Sequence, residues 1–155
     1  MALNFIWIGF IKILLPNSKI IHCSREPKNN CLSLYKNLFE NTLKFTYDEN
    51  SLAGYYKMYQ NLMEFWEHEK KIDLININYE TLISNSEIEI KKIIKSCGLE
   101  WSEKCLYHYK NKNPIKTMST TQARKPFYKT SLDSFEKYRN YLTIIEKYFK
   151  KKAPN

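Results

Sequence analysis

Glycine is scarce in this chain of 155 residues, and its scarcity excludes one large class of nucleotide site. The only glycines are Gly9, Gly54 and Gly98, which lie far apart in the sequence. Neither G-x-x-x-x-G-K nor G-x-G-x-x-G can therefore be written anywhere in the chain, so the glycine-rich phosphate loops that these patterns describe are excluded. A phosphate site in this sequence would need a different construction.

Arginine is also rare, although the chain is strongly basic. The net charge is +9, and nearly all of the basic residues are lysine. An A/T-rich coding sequence produces such an excess without any function, and the charge suits an anionic nucleotide as well as a nucleic acid. A basic module that binds nucleic acid or an acidic partner is therefore an alternative, not the first interpretation. The arginines are more informative than the lysines, and they are Arg25, Arg124 and Arg139.

Cysteine pairs of the C-x-x-C type are missing as well. Cys23 and Cys97 stand in apolar patterns and are predicted to be small core residues. A zinc site made by Cys97, Cys105 and His108 is an alternative, but our prediction is that the chain holds no metal. Because no signal peptide is recognisable, reduced cysteines and a cytoplasmic location are expected.

The N-terminal apolar run is too short to span a membrane. This run, FIWIGFIKILL over residues 5–15, is interrupted by Lys12 and followed by Pro16. It also lacks the basic leader and the small-residue cleavage site of a signal peptide. We predict a buried helix over residues 4–15 and no membrane span, with a membrane anchor as the alternative.

The order of the predicted elements indicates an α/β fold. Short runs rich in β-branched residues predict strands over 20–24 and 72–79. Helical spacing of apolar residues predicts the main helices, which are 29–41, 52–70 and 87–97. Strands that alternate with helices form parallel sheets with helical crossovers. We therefore expect a single domain over residues 1–155 with a short parallel sheet and a predominantly helical content.

The apolar faces of two predicted helices indicate where the core lies. The stripe along 52–70 is interpreted as core rather than as a ligand cage, and its members are Leu52, Tyr55, Tyr56, Tyr59, Leu62, Met63 and Trp66. A short helix over 102–109 precedes a polar loop over 111–128, whose length marks it as functional or disordered. Ser131 or Asp133 starts a last helix. Its inward face is expected to contain Phe135, Tyr138, Tyr141, Leu142, Ile145 and Phe149.

Residues 20–35 (IIHCSREPKNNCLSLY) contain the most informative pattern in the chain. A buried strand leads to a polar loop with Arg25, and a helix capped by Asn29 or Asn30 follows, which places Ser33 in the first helical turn. The free N–H groups and the positive dipole end of a helix N-terminus attract anions. Arg25 adds a planar fork that fits phosphate oxygens, and Ser33 adds a hydroxyl donor. The stretch therefore predicts an anion site.

The second predicted strand brings an aromatic residue to the same place. In parallel sheets, ligands bind beyond the C-terminal ends of the strands. Arg25 follows the strand at 20–24, and Tyr79 ends the strand predicted at 72–79. The sequence therefore predicts that an anion site and an aromatic side chain share one rim of the sheet.

Four segments resemble, in this order, segments of a known family. PNSKIIHCSREPKNNCLSLY (16–35) resembles a 3′-phosphate-binding segment, in which a strand is followed by arginine, proline and then a serine eight residues after the arginine. YYKMYQNLMEFW (55–66) resembles the helix before the next strand, and INYETLI (77–83) resembles the exit of that strand. TMSTTQARKPFY (117–128) resembles a late substrate and nucleotide loop. The chain thus resembles the C-terminal two-thirds of a PAPS-dependent sulfotransferase, closest to the bacterial, often TPR-linked, family that is similar to tyrosylprotein sulfotransferases.

This resemblance implies a function and a set of site residues. The protein would transfer a sulfuryl group from PAPS (3′-phosphoadenosine 5′-phosphosulfate) to a hydroxyl of a carbohydrate, a protein tyrosine or a small molecule, and release PAP. Arg25 and Ser33 would hold the 3′-phosphate, and Tyr79 would lie near the adenosine. A late loop would close over the nucleotide through Ser119, Gln122, Arg124 and Lys125. The implied fold is an incomplete P-loop-like three-layer sulfotransferase fold.

Parts of the family pattern are missing from the chain. The loop that binds the 5′-phosphosulfate, together with the usual catalytic base, would lie upstream of Phe5. We therefore expect a single partial domain that is inactive alone, with an unpaired sheet edge through which two copies could associate. Asn37 and Ser134 stand where related enzymes have basic residues. An inactive remnant that keeps only the fold is a further alternative.

Overall fold

A parallel pair of short strands organises the structure, a computed structural model that describes residues 3–39, 43–69, 72–111, 113–114, 124–127 and 133–150. The strands are β1 (Ile20–Ser24) and β2 (Leu74–Asn78). The α-helices are α1 (Ile8–Leu14), α2 (Pro27–Tyr35), α3 (Glu49–His68), α4 (Tyr79–Ser84), α5 (Ser86–Ser96) and α6 (Thr143–Tyr148). Short 3-10 helices cover Asn4–Trp7, Lys44–Tyr47, Glu103–Lys110 and Ser134–Tyr138.

β1 and β2 are parallel, as the alternation of strands and helices predicted. Ile20 pairs with Leu74, and the register continues to the pair of Ser24 and Asn78. Both strands run in the same direction and therefore end at the same edge of the sheet. The expectation of a mostly helical α/β fold with a short parallel sheet is therefore confirmed.

α3 is the central helix of the core. The Asp48 carboxylate caps it by accepting the N–H of Ser51 over 2.8 Å, which satisfies one of the unpaired donors at a helix start. Leu52 and Tyr56 lie in a cluster with α2 and the C-terminal part of the chain, and Met63 lies in a second cluster with the N-terminal part. Burial of a side chain of this size stabilises a fold by about 1.5–3 kcal/mol. The interpretation of this stripe as core is confirmed.

Polar contacts fasten the C-terminal segment (133–150) to α2 and α3. The Glu49 carboxylate at the start of α3 accepts the N–H of Ile145 at 3.2 Å. The buried amide oxygen of Asn29 accepts the N–H of Phe135 at 2.9 Å. Buried acceptors that lose their donor cost about 1–3 kcal/mol, so these bonds fix where the segment lies.

This segment is not the single helix that the sequence predicted. It consists of a 3-10 helix and the separate helix α6. Phe135, Leu142 and Ile145 are buried as expected, but Tyr138 and Tyr141 are 39% and 80% exposed. The break between the two helices changes the helical phase, so that the predicted inward face is interrupted.

The N-terminal helix is only half covered, although the sequence predicted a buried helix. Phe5 and Ile8 pack on α3, where the indole N–H of Trp66 donates to the Phe5 carbonyl at 2.9 Å. A Cβ at Gly9 would come within 2.8 Å of the Trp66 ring, so glycine permits this close approach. Apart from Lys12 the run has no charged residue, so most of its surface is apolar, whereas α3 covers one side. The other side is 42–77% exposed, and it consists of Ile6, Trp7, Phe10, Ile13, Leu14 and Leu15.

Other element predictions hold in part. The helix expected over 87–97 is α5, and Gly98 after it has a φ of +73°, the left-handed conformation that favours glycine at a helix end. α2 ends earlier than expected, and Leu38 beyond it is 79% exposed. Cys23, predicted to be a core residue, is exposed. Alternate residues of a strand point to opposite faces, and Cys23 shares its face with the exposed Ile21.

The described residues contain no helix that combines the length and the apolar character needed to cross a membrane. The side chains of Cys97, Cys105 and His108 do not form a group that could hold a metal ion, and no other such group of three or more ligands occurs in the part of the chain that the structure describes.

Candidate functional site

The structure brings Arg25 and Tyr79 together at the C-terminal edge of the sheet. Ser24 and Asn78, the last residues of the two strands, are register partners, so the residues that follow them are neighbours. The central carbon of the Arg25 guanidinium lies 4.9 Å from the centroid of the Tyr79 ring. A cation at this distance from an aromatic ring is attracted by its negative face. We call this edge, with Arg25 and Tyr79, the rim.

The helix that follows β1 starts earlier than predicted and is capped by an acid. α2 begins at Pro27, which lacks an N–H and suits the first helical position. The Glu26 carboxylate accepts the N–H of Asn29 at 2.7 Å, so the expected capping by Asn29 or Asn30 is wrong. Because the chain's own carboxylate occupies this helix N-terminus, the site is not the open set of N–H donors that the sequence predicted.

A second acid joins the two strand ends. The Glu80 carboxylate accepts the backbone N–H of Glu26 at 3.0 Å, which connects the start of α4 to the start of α2. At β2 the helix is capped by Asn78, whose amide oxygen accepts the N–H of Thr81 at 2.8 Å. Two carboxylates therefore lie close to Arg25, and both accept backbone N–H groups.

The thiols near the rim respond to these charges. Burial raises the pKa of the Cys31 thiol to about 12, and the Glu26 carboxylate adds to this rise. Cys23 is exposed as a residue, yet partial burial of its thiol raises its pKa, Glu80 adds to the rise and Arg25 opposes it. The raised pKa values keep both thiols protonated at neutral pH.

Ser33 does not lie where the sequence predicted. Because α2 begins at Pro27, Ser33 is in the second helical turn. At 1.5 Å per residue, it lies about 9 Å along the helix axis from Pro27. Its carbonyl accepts a hydrogen bond from the Asn37 side chain at 2.6 Å. Its hydroxyl is therefore not a first-turn donor.

The late loop is described only in part. Ser119 and Gln122 lie outside the described residues. The Arg124 guanidinium donates to the Asn113 carbonyl, and the His108 ring donates from Nε2 to the Lys125 carbonyl at 3.2 Å. These contacts tie residues 124–125 to the segment that follows α5.

A cleft of about 450 Å³ opens between β1 and α3 beside Arg25. Its walls include His22, Tyr56 and Tyr59, and the Tyr56 hydroxyl donates to the Arg25 carbonyl at 3.0 Å. Sequence reasoning predicted only a core role for these tyrosines, because helical spacing reveals the buried ring but not the partner of its hydroxyl. Glu26 was missed for another reason: its spacing to Asn29 is that of a cap, but the adjacent asparagines were preferred.

Comparison with known proteins gives a family for the chain. A model of the Sulfotransferase family matches residues 1–103, which include both strands and the rim but not the late loop. A relative from Aquifex aeolicus (strain VF5), described as an uncharacterized protein, is 30% identical over 155 residues. The match covers 96% of this chain and 20% of the relative, so the chain spans about a fifth of that protein's length.

Proposed function

The chain belongs to the sulfotransferase family, and from this premise we propose that the rim binds the 3′-phosphoadenosine part of PAPS or PAP. The cation–π pair of Arg25 and Tyr79 is the observation that carries the proposal. The pair combines a cation that suits phosphate with an aromatic surface. Both lie at the C-terminal edge of a parallel sheet, where ligands of α/β proteins bind.

Arg25 is the proposed reader of the 3′-phosphate. A guanidinium can donate two parallel hydrogen bonds to one phosphate. The contact with the Tyr79 ring restricts the orientations of the guanidinium, which lowers the entropy that phosphate binding would cost. The carboxylates of Glu26 and Glu80 accept backbone N–H groups, so their charges are partly compensated. Ser33 would add a hydroxyl donor from the second turn of α2.

The late loop is proposed to close over the nucleotide. Arg124 and Lys125 would contribute positive charge there, and Ser119 and Gln122 would contribute polar donors. This part of the proposal is supported by the resemblance of residues 117–128 alone.

The proposed reaction is sulfuryl transfer from PAPS to a hydroxyl. The acceptor oxygen attacks sulfur, a new S–O bond forms, and the bond between sulfur and the bridging phosphate oxygen breaks. PAP leaves with the negative charge, and the acceptor proton goes to a base. Catalysis requires positive groups at the 5′-phosphosulfate and that base. We propose that residues 1–155 form a partial domain that supplies the 3′-phosphate side only, with no catalytic residue assigned.

The partners follow from the same proposal. The acceptor is a hydroxyl compound, and a carbohydrate, a protein tyrosine and a small molecule all fit. The described sheet has two strands, so β1 is paired on one edge only, and this supports self-association by pairing of strand edges. The cytoplasmic location stays a prediction.

Calorimetric titration of PAP tests the assignment. We expect Arg25→Ala to weaken binding by about tenfold to a hundredfold, because hydrogen bonds to a charged group contribute about 1.5–3 kcal/mol. Arg139→Ala is the matched control: it removes an arginine whose ion pairs are with Glu136 and Glu146, and it should leave the affinity unchanged. Equal binding of PAP by the wild type and Arg25→Ala would show that the assignment is wrong.

Two further measurements separate this proposal from the alternatives. A basic module for polyanions would bind generic polyanions, with an affinity that falls steeply with salt. It would prefer PAP to AMP only through the extra charge of PAP, and high salt would remove that preference. Transfer of sulfate by the isolated chain would refute the claim that it supplies only one side of the site. A stable fold that does not bind PAP would point to an inactive remnant.

A further inference from the structure

A chain of hydrogen bonds begins and ends on α3 and crosses both strands. The Tyr59 hydroxyl lies 2.6 Å from Nε2 of His22, and Nδ1 of His22 lies 2.8 Å from the Asn76 amide oxygen. The Asn76 amide nitrogen donates to the Glu67 carboxylate at 3.0 Å. His22 and Asn76 are register partners on β1 and β2. The chain therefore ties the middle of the sheet to one face of α3.

The Glu67 carboxylate, at the end of this series of hydrogen bonds, determines which group donates in each bond. A carboxylate accepts only, so Asn76 donates its N–H to Glu67 and presents its oxygen to His22. His22 then donates from Nδ1, and in the neutral imidazole Nε2 accepts the Tyr59 hydroxyl. Burial raises the pKa of Tyr59, and the nearby Cys23 and Glu67 raise it further. The hydroxyl therefore remains a donor at neutral pH.

A second hydroxyl, one turn earlier along α3, binds the residue that follows β1. The Tyr56 hydroxyl donates to the Arg25 carbonyl at 3.0 Å. Tyr56 is 4% exposed, and its burial raises its pKa. Residues three apart on a helix face the same side, and the rings of Tyr56 and Tyr59 are 5.1 Å apart in an edge-on arrangement. α3 thus holds the strand at residue 22 and the residue after its end.

The position of Arg25 depends on this hydrogen bond to α3, because Arg25 lies just beyond the sheet. β1 ends at Ser24, so the strand ladder does not fix the Arg25 carbonyl, which the Tyr56 hydroxyl binds instead. We propose that Tyr56 is a positioning residue, which orients Arg25 toward the 3′-phosphate. Tyr59 assists by holding β1 through His22. This inference rests on the proposed function of the rim, and it assigns α3 a part in phosphate selectivity.

The test compares PAP with AMP, which lacks the 3′-phosphate, in Tyr56→Phe. The ring stays in the core and only the hydroxyl is lost. We expect the ratio of PAP to AMP affinity to fall about fivefold, the equivalent of one ordinary hydrogen bond. A purely structural role would lower the thermal stability but leave this ratio unchanged.

Tyr47→Phe is the matched control. The Tyr47 hydroxyl bonds to the N–H and the carbonyl of Phe39 at 2.8 and 2.9 Å, so its loss also removes hydrogen bonds to the backbone, but away from the rim. We expect stability to fall and the PAP to AMP ratio to stay at the wild-type value. A fall in this control equal to that in Tyr56→Phe would overturn the inference.

The outcomes separate this inference from the function on which it rests. A wild type that does not prefer PAP to AMP overturns both. A wild type that prefers PAP, with an unchanged ratio in Tyr56→Phe, overturns the positioning role and leaves the proposed function standing. If Tyr56→Phe does not fold, Tyr59→Phe takes its place, with an expected fall of about twofold. An unchanged ratio there likewise overturns the inference.

Discussion

The two strand-to-helix junctions stand side by side and are built differently. At both, a cap side chain accepts the N–H three residues ahead, Glu26 from Asn29 and Asn78 from Thr81. At β2 the cap is the last strand residue. At β1 one residue, Arg25, stands between the strand end and the cap. The added residue is the one that places a guanidinium on the rim, whereas the β2 junction places an aromatic ring there.

The difference in charge is informative as well. The β1 junction is closed by carboxylates, since Glu26 caps α2 and Glu80 accepts the N–H of Glu26. A helix N-terminus that binds its own carboxylate offers fewer donors to a ligand. In the proposed site, the recognition of an anion would therefore fall to the side chain of Arg25 rather than to the backbone.

The largest effect on PAP affinity is expected when Arg25 is replaced by lysine, which keeps the charge but not the shape of the side chain. Arg25→Lys should lower PAP affinity about thirtyfold, close to 2 kcal/mol, because lysine lacks the planar fork and its contact with the Tyr79 ring. Tyr79→Phe keeps the ring at the other junction and should change the affinity less than about twofold. Calorimetry on both variants checks this, and equal affinities for Arg25→Lys and wild type would contradict a bidentate contact.

The link between the junctions should account for the next effect. Glu80→Ala leaves the N–H of Glu26 without its acceptor and should lower the free energy of unfolding by about 1–2 kcal/mol. Glu80→Gln keeps an acceptor oxygen and should lower it less, while the loss of negative charge beside Arg25 should strengthen PAP binding. Urea unfolding and calorimetry measure the two quantities. Weaker PAP binding by Glu80→Gln would show that this carboxylate does not oppose the anion.

The two caps should differ in their response to salt. Asn78→Ala should lower the free energy of unfolding by about 1 kcal/mol, the usual cost of a lost cap, at low and high salt alike. Glu26→Gln keeps a side-chain acceptor but removes the charge that favours a helix N-terminus, so its smaller cost should shrink as salt screens the dipole. Urea unfolding of both variants at about 0.05 M and about 1 M NaCl, where screening is weak and strong, measures this difference. Parallel salt responses in both variants would contradict the charge difference.

The smallest expected effect concerns the first turn of α2 and the pH. Lys28 donates to Glu146 at 2.8 Å and lowers the pKa of that carboxyl below its usual value of 4.5, with a further contribution from Arg139. A lowered pKa gives stability that is present above pH 4.5 and is lost as the pH falls through the folded value. Wild type should therefore lose more stability on acidification than Lys28→Met. Identical acid profiles for the two proteins would exclude the contact as a source of stability.

Local patterns predicted much of the fold. The bounds of β1 and the inward stripe of α3 were correct, because β-branched runs and helical spacing reflect the neighbouring residues alone. The start of α2 was misplaced because Asn29 is a preferred cap residue by type, yet its amide oxygen binds Phe135, 106 positions away. Ser33 moved into the second turn as a consequence.

The contacts that define the candidate site were the least predictable. The order of the strands was enough to expect Arg25 and Tyr79 on one rim. The bond from Glu26 to Glu80 spans 54 positions and the bond from Tyr56 to Arg25 spans 31, and spacing within a single element carries no signal of either. The exposed side of α1 was misjudged because an apolar run does not reveal how many of its faces are covered.

The preference of the wild-type chain for PAP over AMP tests the central claim most directly. Both nucleotides carry adenosine and a 5′-phosphate, so their difference isolates the 3′-phosphate that Arg25 is proposed to read. Calorimetry at one fixed salt concentration should show PAP binding at least about tenfold more tightly than AMP, with the preference lost in Arg25→Ala. Equal affinities of the wild type for PAP and AMP would contradict the account.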